Sequence, residues 1–314
     1  MELNPTLLSK SMDVQLQTLI VDTFRYLSPL QVPQRSYLVI IDGLDECHDK
    51  ATQRSILRLL CETIAVHKLP LRFLIGSRPE SHIRSSFNQE SLYTITHRVV
   101  LDETFNPGRD IRVFLQAGFA KICVENPILS QVEHPWPGEG IIDLLVQRSS
   151  GQFIYASTVL RFVGADFCSP IKQLALVLKP DPSAFSDLDQ LYTQILSVYP
   201  STVNIVQVLG TIVAFDENHL PEMIEDILGM EEGELNLALR GLSSLMEDRN
   251  DVNGKGLNNG VISYVIPHFA HASFRDYLFN SSRSGPFHVN LQEYKNRVTI
   301  WSFALITRLI RFGK

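Results

Sequence analysis

The chain has 314 residues, 45% of them hydrophobic and 20% charged, with a formal net charge of −6. That composition is ordinary for a globular protein long enough for two or three domains, and its acidic balance excludes an electrostatic pull toward nucleic acid or acidic membranes. Four cysteines, Cys47, Cys61, Cys123 and Cys168, are scattered without a C-x-x-C pair, which argues against a disulfide framework or zinc site and for reduced thiols in the cytoplasm.

The N-terminal Met-Glu-Leu-Asn-Pro lacks the basic-then-apolar layout of a signal peptide. No later apolar stretch approaches the ~20 residues that span a bilayer. Residues 12–26 carry Leu16, Leu19, Ile20 and Phe24 at helical spacing, and a turn with Pro29 and Pro33 leads out of them. Tyr37-Leu-Val-Ile-Ile41 follows, an uninterrupted apolar run that fits a strand buried on both faces of a parallel sheet. A helix over 51–67 (Ile56, Leu59, Leu60, Ile64) precedes a second apolar run, Leu71-Arg-Phe-Leu-Ile75, which ends at Gly76-Ser77-Arg78-Pro79-Glu80. Strand, helix and strand at this spacing form a βαβ unit, and residues 98–101 add a candidate short strand.

From about residue 107 strand signals nearly vanish. Helical periodicity recurs over 109–124, 139–149, 152–164, 170–178 and 187–198, with a Pro-rich break at 180–182. A further set covers 202–215, 220–228 and 232–246. The polar loop 247–260 reads as a hairpin tip, Val261–Ile266 as a strand, and 270–279 as a helix. Helices followed by a small hairpin make the layout of a winged helix. Residues 291–312 form a last, somewhat basic helix. The fold class expected is α/β followed by all-α, and no internal repeat marks a solenoid or propeller.

The chemistry concentrates at Asp42-Gly43-Leu44-Asp45-Glu46. Ligands of open α/β sheets bind at the carboxyl ends of the strands, where Asp42 emerges. One carboxylate there holds a hydrated Mg²⁺ and a second orients or deprotonates a water for attack on a phosphate. The structural alternative is an acidic turn that favours the next helix's N-terminus. The phosphate cradle G-x-x-x-x-G-K-[ST] occurs nowhere in the chain, and Asn253-Gly254-Lys255-Gly256 is only a partial likeness to it. Asp45-Glu46-Cys47-His48 also spells a helicase DExH box, but the partner motifs of a helicase are missing and the charge is wrong for a nucleic-acid track.

Arg78 lies where a cation would sense a γ-phosphate beside the acidic strand. It also fits a helix start with Ser77 as N-cap and Pro79 at the first helical position. His268 and His271 flank the last strand–helix junction, where a histidine reaches a phosphate or simply caps the wing. Gly151-Gln152-Phe153 opens an apolar helix, with Phe153 facing an adenine or filling the core. The segment 231–246 is too acidic (Glu231, Glu232, Glu234 against Arg240) to enter a DNA groove, so protein contact is the better reading of a winged helix here.

Taken in order, Tyr37–Glu46, Gly76–Glu80, Gly151–Tyr155 and His271-Ala-Ser-Phe-Arg-Asp-Tyr277 resemble the NACHT-type signal-transduction P-loop NTPases of the STAND class, especially the large fungal ones. The resemblance spans roughly residues 10–290. It implies a P-loop domain, a helical domain and a winged helix that close around ADP and open on exchange for ATP, followed by oligomerisation. It assigns 1–105 to the C-terminal part of the P-loop NTPase domain, 106–200 to the helical domain, 201–285 to the winged helix and 286–314 to the start of a helical segment.

Carried over, Asp42 is the Mg²⁺-side acid, Asp45 or Glu46 positions the attacking water, and Arg78 is the sensor arginine. Phe153 lies near the base, and His271 matches the histidine that contacts the β-phosphate of ADP. The resemblance places the phosphate-binding loop upstream of Met1, so the chain is expected to neither bind ATP tightly nor hydrolyse it. Its expected partners are proteins, either copies of itself or full-length NACHT relatives, with no nucleic acid and no membrane. A nucleotide-independent scaffold is the alternative.

Overall fold

The computed structural model describes residues 6–27, 36–47, 49–165, 168–179, 186–198, 205–215, 221–248 and 267–312. The expected turn at Pro29–Pro33, the break at 180–182, most of the loop 247–260 and the strand at 261–266 lie outside the described residues. The chain divides into two compact units, Met1–Val100 and Leu101–Lys314.

In the first unit a helical stretch runs through α1 (Met12–Leu16), a π-helical segment (Gln17–Val21) and α2 (Asp22–Leu27). It is followed by β1 (Tyr37–Ile41), α3 (Lys50–Ala65), β2 (Leu71–Ile75), α4 (Ser81–Phe87) and α5 (Glu90–Tyr93). β1 and β2 pair in parallel from Tyr37↔Leu71 to Ile41↔Ile75, as the βαβ reading requires. Asp49 starts α3: its carboxylate accepts the Thr52 N–H at 2.7 Å, which satisfies one of the unpaired donors of the first turn. The core is small, with Leu44, Leu57, Ile83 and Leu92 at its centre and Ile56, Cys61, Ile75 and Phe87 around them.

Two expectations for the strands of this unit fail. β1 is not buried on both faces, because Leu38 and Ile40 are 60% and 66% exposed, and Leu74, paired with Ile40, is 57% exposed. Residues two apart on a strand and residues paired across a ladder share a face. These three therefore form one bare apolar face. An apolar run encodes the capacity for burial, but burial needs a layer on each side, and the described residues of this unit leave that face uncovered. Residues 98–101 form no strand. Arg98 turns back instead, donating to Asn88 Oδ1 at 2.9 Å and to the Phe87 carbonyl, over the rings of Phe87 and Tyr93.

The second unit begins with α6 (Pro107–Glu125), α7 (Glu139–Ser149), α8 (Phe153–Val163), α9 (Pro170–Leu178) and α10 (Asp187–Ser197). It continues through α11 (Ile205–Ala214), α12 (Pro221–Leu228), α13 (Glu234–Arg240), β3 (Met246–Asp248) and β4 (Pro267–Phe269). α14 (Ala272–Phe279), α15 (Ser281–Ser284) and α16 (Leu291–Phe312) complete it.

Helical periodicity builds this core: Ile111, Leu115, Phe119 and Ile122 bury one stripe of α6. Pro107 and Pro170 occupy first-turn positions where no N–H is needed. Ser186 caps α10 by accepting the Asp189 N–H at 3.1 Å. Arg148 of α7 donates to the carbonyls of Val177 and Leu178, satisfying the last turn of α9. One contiguous apolar cluster runs from Ile111 to Tyr294. α16 closes on α11 at Gly210, where a Cβ would stand 2.5 Å from the Tyr294 ring.

The expected helix over 232–246 stops at Arg240, and Met246, Glu247 and Asp248 turn into β3, antiparallel to β4 with Met246↔Phe269 and Asp248↔Pro267. Gly241 follows α13 directly and breaks the period. The first two residues of the expected loop thus belong to a strand. The architecture is a small parallel α/β unit followed by a mostly helical one. Among the described residues no helix is long and apolar enough to cross a membrane.

Burial pushes the phenols of Tyr155, Tyr192 and Tyr277 up to about 12. Their folded values lie above the ordinary value of 10.0, so the neutral form is favoured in the fold. The linked stability is complete below about pH 10 and is lost as pH rises toward about 12. Ultraviolet titration of phenolate, with denaturation followed at pH 8 and pH 11, is expected to show late ionisation of three tyrosines coincident with unfolding.

Candidate functional site at the acidic strand edge

The backbone at the carboxyl end of the parallel pair places the charged residues. Beyond Ile41↔Ile75 the ladder continues: the Gly76 N–H donates to the Ile41 carbonyl at 2.8 Å, and the Leu44 N–H donates to the Gly76 carbonyl at 3.1 Å. Gly43 adopts the left-handed conformation with φ of 67°, which a side chain disfavours. That turn starts the 3-10 segment Leu44–Glu46 and drops Leu44 into the core, fully buried. Asp42 and Glu46 are left exposed.

Gly76 makes room for the Asp42 side chain as it stands. A Cβ on it would stand 2.5 Å from Asp42 Oδ1, so only glycine leaves that carboxylate its place. The Glu46 carboxyl group lies 3.4 Å from where a Gly43 Cβ would be.

Asp45 has a different environment. Its Oδ1 accepts the Arg78 backbone N–H at 2.8 Å and the Ser77 hydroxyl at 3.2 Å, and its Oδ2 lies 3.4 Å from Arg78 Nε. The Asp45 side chain is 9% exposed against 38% for Arg78. Asp45 is therefore an anchor that holds the strand-end cation in place. The expected helix start with Ser77 as N-cap is overturned: α4 begins at Ser81 after Glu80, and the Ser77 hydroxyl lies 3.2 Å from Asp45 Oδ1 and 3.0 Å from the Arg78 carbonyl.

The acidic turn is also held from α3. The Gln53 side-chain amide donates to the carbonyls of Asp45 at 2.9 Å and Cys47 at 2.8 Å, and its oxygen accepts from His82 Nε2. Gln53 and His82 are buried at 5% and 6% exposure. With both amide protons spent on carbonyls, the Gln53 oxygen must face His82, which fixes the protonated nitrogen as Nε2 and leaves Nδ1 buried without a partner. Sequence reading missed both residues. The available signal was a glutamine at position 53, in step with Leu57 and Leu60 on the core-facing stripe of α3.

Phe153 and His271 belong to the second unit. Phe153 opens α8, after left-handed Ser150 and Gly151, and is 44% exposed with an edge contact to Phe114 at 5.8 Å. The core-aromatic alternative fails because this first-turn position points away from the stripe buried by Tyr155, Ala156 and Val159. His271 is the N-cap of α14, with Nδ1 accepting the Ser273 N–H at 3.1 Å. His268 sits in β4 opposite Glu247.

Among the described residues no group of three or more His, Cys, Asp or Glu is placed to hold a metal. Mg²⁺, however, is usually bound by one or two carboxylates together with substrate phosphates. Exposed Asp42, with Gly76 kept clear of it, fits that requirement. A cavity of about 570 Å³ in the first unit is lined by Arg54, Arg58, Glu62, His82 and Ser85. One of about 810 Å³ in the second is lined by Phe119, Cys123, His134, Trp136 and Glu139. Neither includes the acidic turn, Arg78, Phe153 or His271.

Residues 4–78 match the family described as Nephrocystin 3, N-terminal. The match takes in the acidic strand, Gln53, β2 and Arg78, and ends there. Comparison with curated proteins and with solved structures finds no match.

Proposed function

We propose that the chain works within a nucleotide-dependent signalling switch of the NACHT type, its first unit contributing the metal-side acids and sensor arginine of a P-loop NTPase domain. The observation that carries this reading is the arrangement at the strand edge, where Asp45 fixes Arg78 while Asp42 and Glu46 face solvent. In this reading Asp42 holds Mg²⁺, which when bound neutralises phosphate charge. Asp45 being spent on Arg78, Glu46 is the carboxylate able to accept a proton from, or orient, a water. Arg78 donates to a terminal phosphate. In the helical and winged-helix parts Phe153 offers a ring to the base and His271 a donor to a phosphate. Protein partners, including further copies of the chain, follow from this role.

The sequence supplies no Gly-rich cradle, whose backbone N–H groups and lysine provide most phosphate affinity in such sites. Three charge-assisted hydrogen bonds at ~1.5–3 kcal/mol each are enough to move a micromolar site to about millimolar or weaker. Residues 1–314 alone are therefore expected to bind ADP and ATP weakly, with Mg²⁺ dependence lost in Asp42→Ala, and to show no ATP hydrolysis. Equilibrium binding with Asp42→Ala and His271→Ala controls tests this. Nucleotide binding that is indifferent to Mg²⁺ and unchanged in both Asp42→Ala and His271→Ala would replace the reading with the scaffold. Hydrolysis abolished by Glu46→Gln would overturn the expectation of inactivity.

One observation favours the second reading, a nucleotide-independent interaction scaffold. The apolar face of Leu38, Ile40 and Leu74 is a surface that soluble chains seldom leave open without a partner.

A further inference from the structure

We propose that Tyr192 and Ser273 are positioning residues for His271, their hydroxyls forming a directed hydrogen-bond chain that fixes the imidazole as its Nε2–H tautomer. The direction follows from proton counting. The Ser273 backbone N–H, a donor only, lies 3.1 Å from His271 Nδ1, so Nδ1 must present its lone pair. The Ser273 hydroxyl lies 2.6 Å from the same nitrogen. With no proton on Nδ1, the hydroxyl must be the donor there as well. Its oxygen then has only lone pairs for Tyr192, so the phenol donates across the 2.8 Å between them. The proton of a neutral His271 is left on Nε2, on the far side of the ring.

The chain is anchored where it starts. Tyr192 is 1% exposed, with its ring 5.0 Å from Phe274 and 5.3 Å from Tyr277. Burial raises the phenol to about 12, so its proton is present across the physiological range. α10 is tied down twice more, at the residue after Tyr192 and one turn before it. Thr193 meets the Tyr277 hydroxyl at 2.8 Å, and buried Asp189 accepts from Arg283 Nε at 3.1 Å and its terminal nitrogen at 2.7 Å. α10 therefore cannot slide along α14 without breaking the bond that orients the histidine.

This arrangement explains a histidine at an N-cap. Asp, Asn or Ser would satisfy the Ser273 N–H more simply. Imidazole is two-ended: one nitrogen is spent on the helix and the other carries the proton. Toward an anionic oxygen such as a diphosphate, that donor is useful only if the tautomer is fixed. This last step rests on the nucleotide reading above, whereas the tautomer does not.

The test is ¹⁵N spectroscopy of the nucleotide-free full chain with labelled histidine, His271 being assigned by His271→Gln. The expected result at neutral pH is a bare, downfield Nδ1 and a protonated Nε2. Tyr192→Phe and Ser273→Ala are expected to move both resonances toward a tautomer mixture, while Ser273→Thr, which keeps a hydroxyl, retains the wild-type positions. A wild-type Nδ1–H or imidazolium form, or unchanged resonances in both variants that lose a hydroxyl, overturns the proposal. Loss of the signature in Ser273→Thr as well would assign the effect to packing and also overturns it. ADP binding that is indifferent to Mg²⁺ and to Asp42→Ala would sink the nucleotide reading and leave the spectroscopic result standing. Where ADP does bind, Ser273→Ala is expected to weaken it about tenfold, and an unchanged affinity would remove the link to phosphate.

Discussion

Replacing Gln53 with leucine is expected to destabilise the first unit by about 3 kcal/mol or more, a large share of what a small domain has. One side chain satisfies the carbonyls of Asp45 and Cys47 and the ring of His82. Leucine fits the volume and satisfies none of them. Buried groups left without partners cost roughly 1–3 kcal/mol each. The unit has a central core of only Leu44, Leu57, Ile83 and Leu92 to offset that loss. Hydrogen exchange resolved by peptide is the measurement of choice, because it reads the first unit separately. Protection across Leu44–Cys47 and α3 should collapse while α6–α10 are unaffected. A change below about 1 kcal/mol would mean that water replaces the amide with little loss.

Asp189→Ala is expected to cost the second unit about 3–5 kcal/mol, the usual penalty for removing one member of a buried ion pair. Asp189 is 2% exposed and receives Arg283 at both carboxylate oxygens. Its loss leaves a guanidinium partly buried with no counter-charge. The paired replacement Asp189→Leu with Arg283→Met is expected to recover most of the stability, since the desolvation of both charges disappears together. Urea denaturation of the single and double variants measures the coupling. Equal losses in both would show that packing around α10, rather than charge, sets the result.

Much of the architecture was readable from the chain because amphipathic spacing is a local property. The helices 139–149, 170–178 and 291–312 appear at the expected positions, and so do the paired runs ending at Ile41 and Ile75. What failed depended on partners that a local pattern does not name. Residues 98–101 have the apolar content of a strand, but Arg98 folds back onto Phe87, and among the described residues no neighbour offers a ladder. Met246–Asp248 continue a helical pattern yet pair with residues about twenty positions later. At the acidic turn the residue types pointed to the strand edge, while the division of labour needed geometry. Asp45 and Glu46 are adjacent in sequence, and only the Arg78 contacts tell the anchor from the exposed acid. Gln53, His82 and Tyr192 act through contacts spanning 6 to 81 residues, which no motif records.

The three ties from α10 to the segment that follows β4 also bear on how long the folded state lasts. They join residues 81, 84 and 94 positions apart. Closing a loop of that size costs about 4 kcal/mol of chain entropy before the first contact gives anything back. Once one tie has formed, the others close almost no further loop, so the set is made and lost together. Contacts of this separation are expected to form after the local helix pairs such as α6 with α7, an order that φ-values at Asp189 and Thr193 would check. Contacts formed that late slow unfolding far more than they speed folding. On that order the ties of α10 are expected to slow the unfolding of the second unit, and the orientation of His271 lasts as long as they remain engaged.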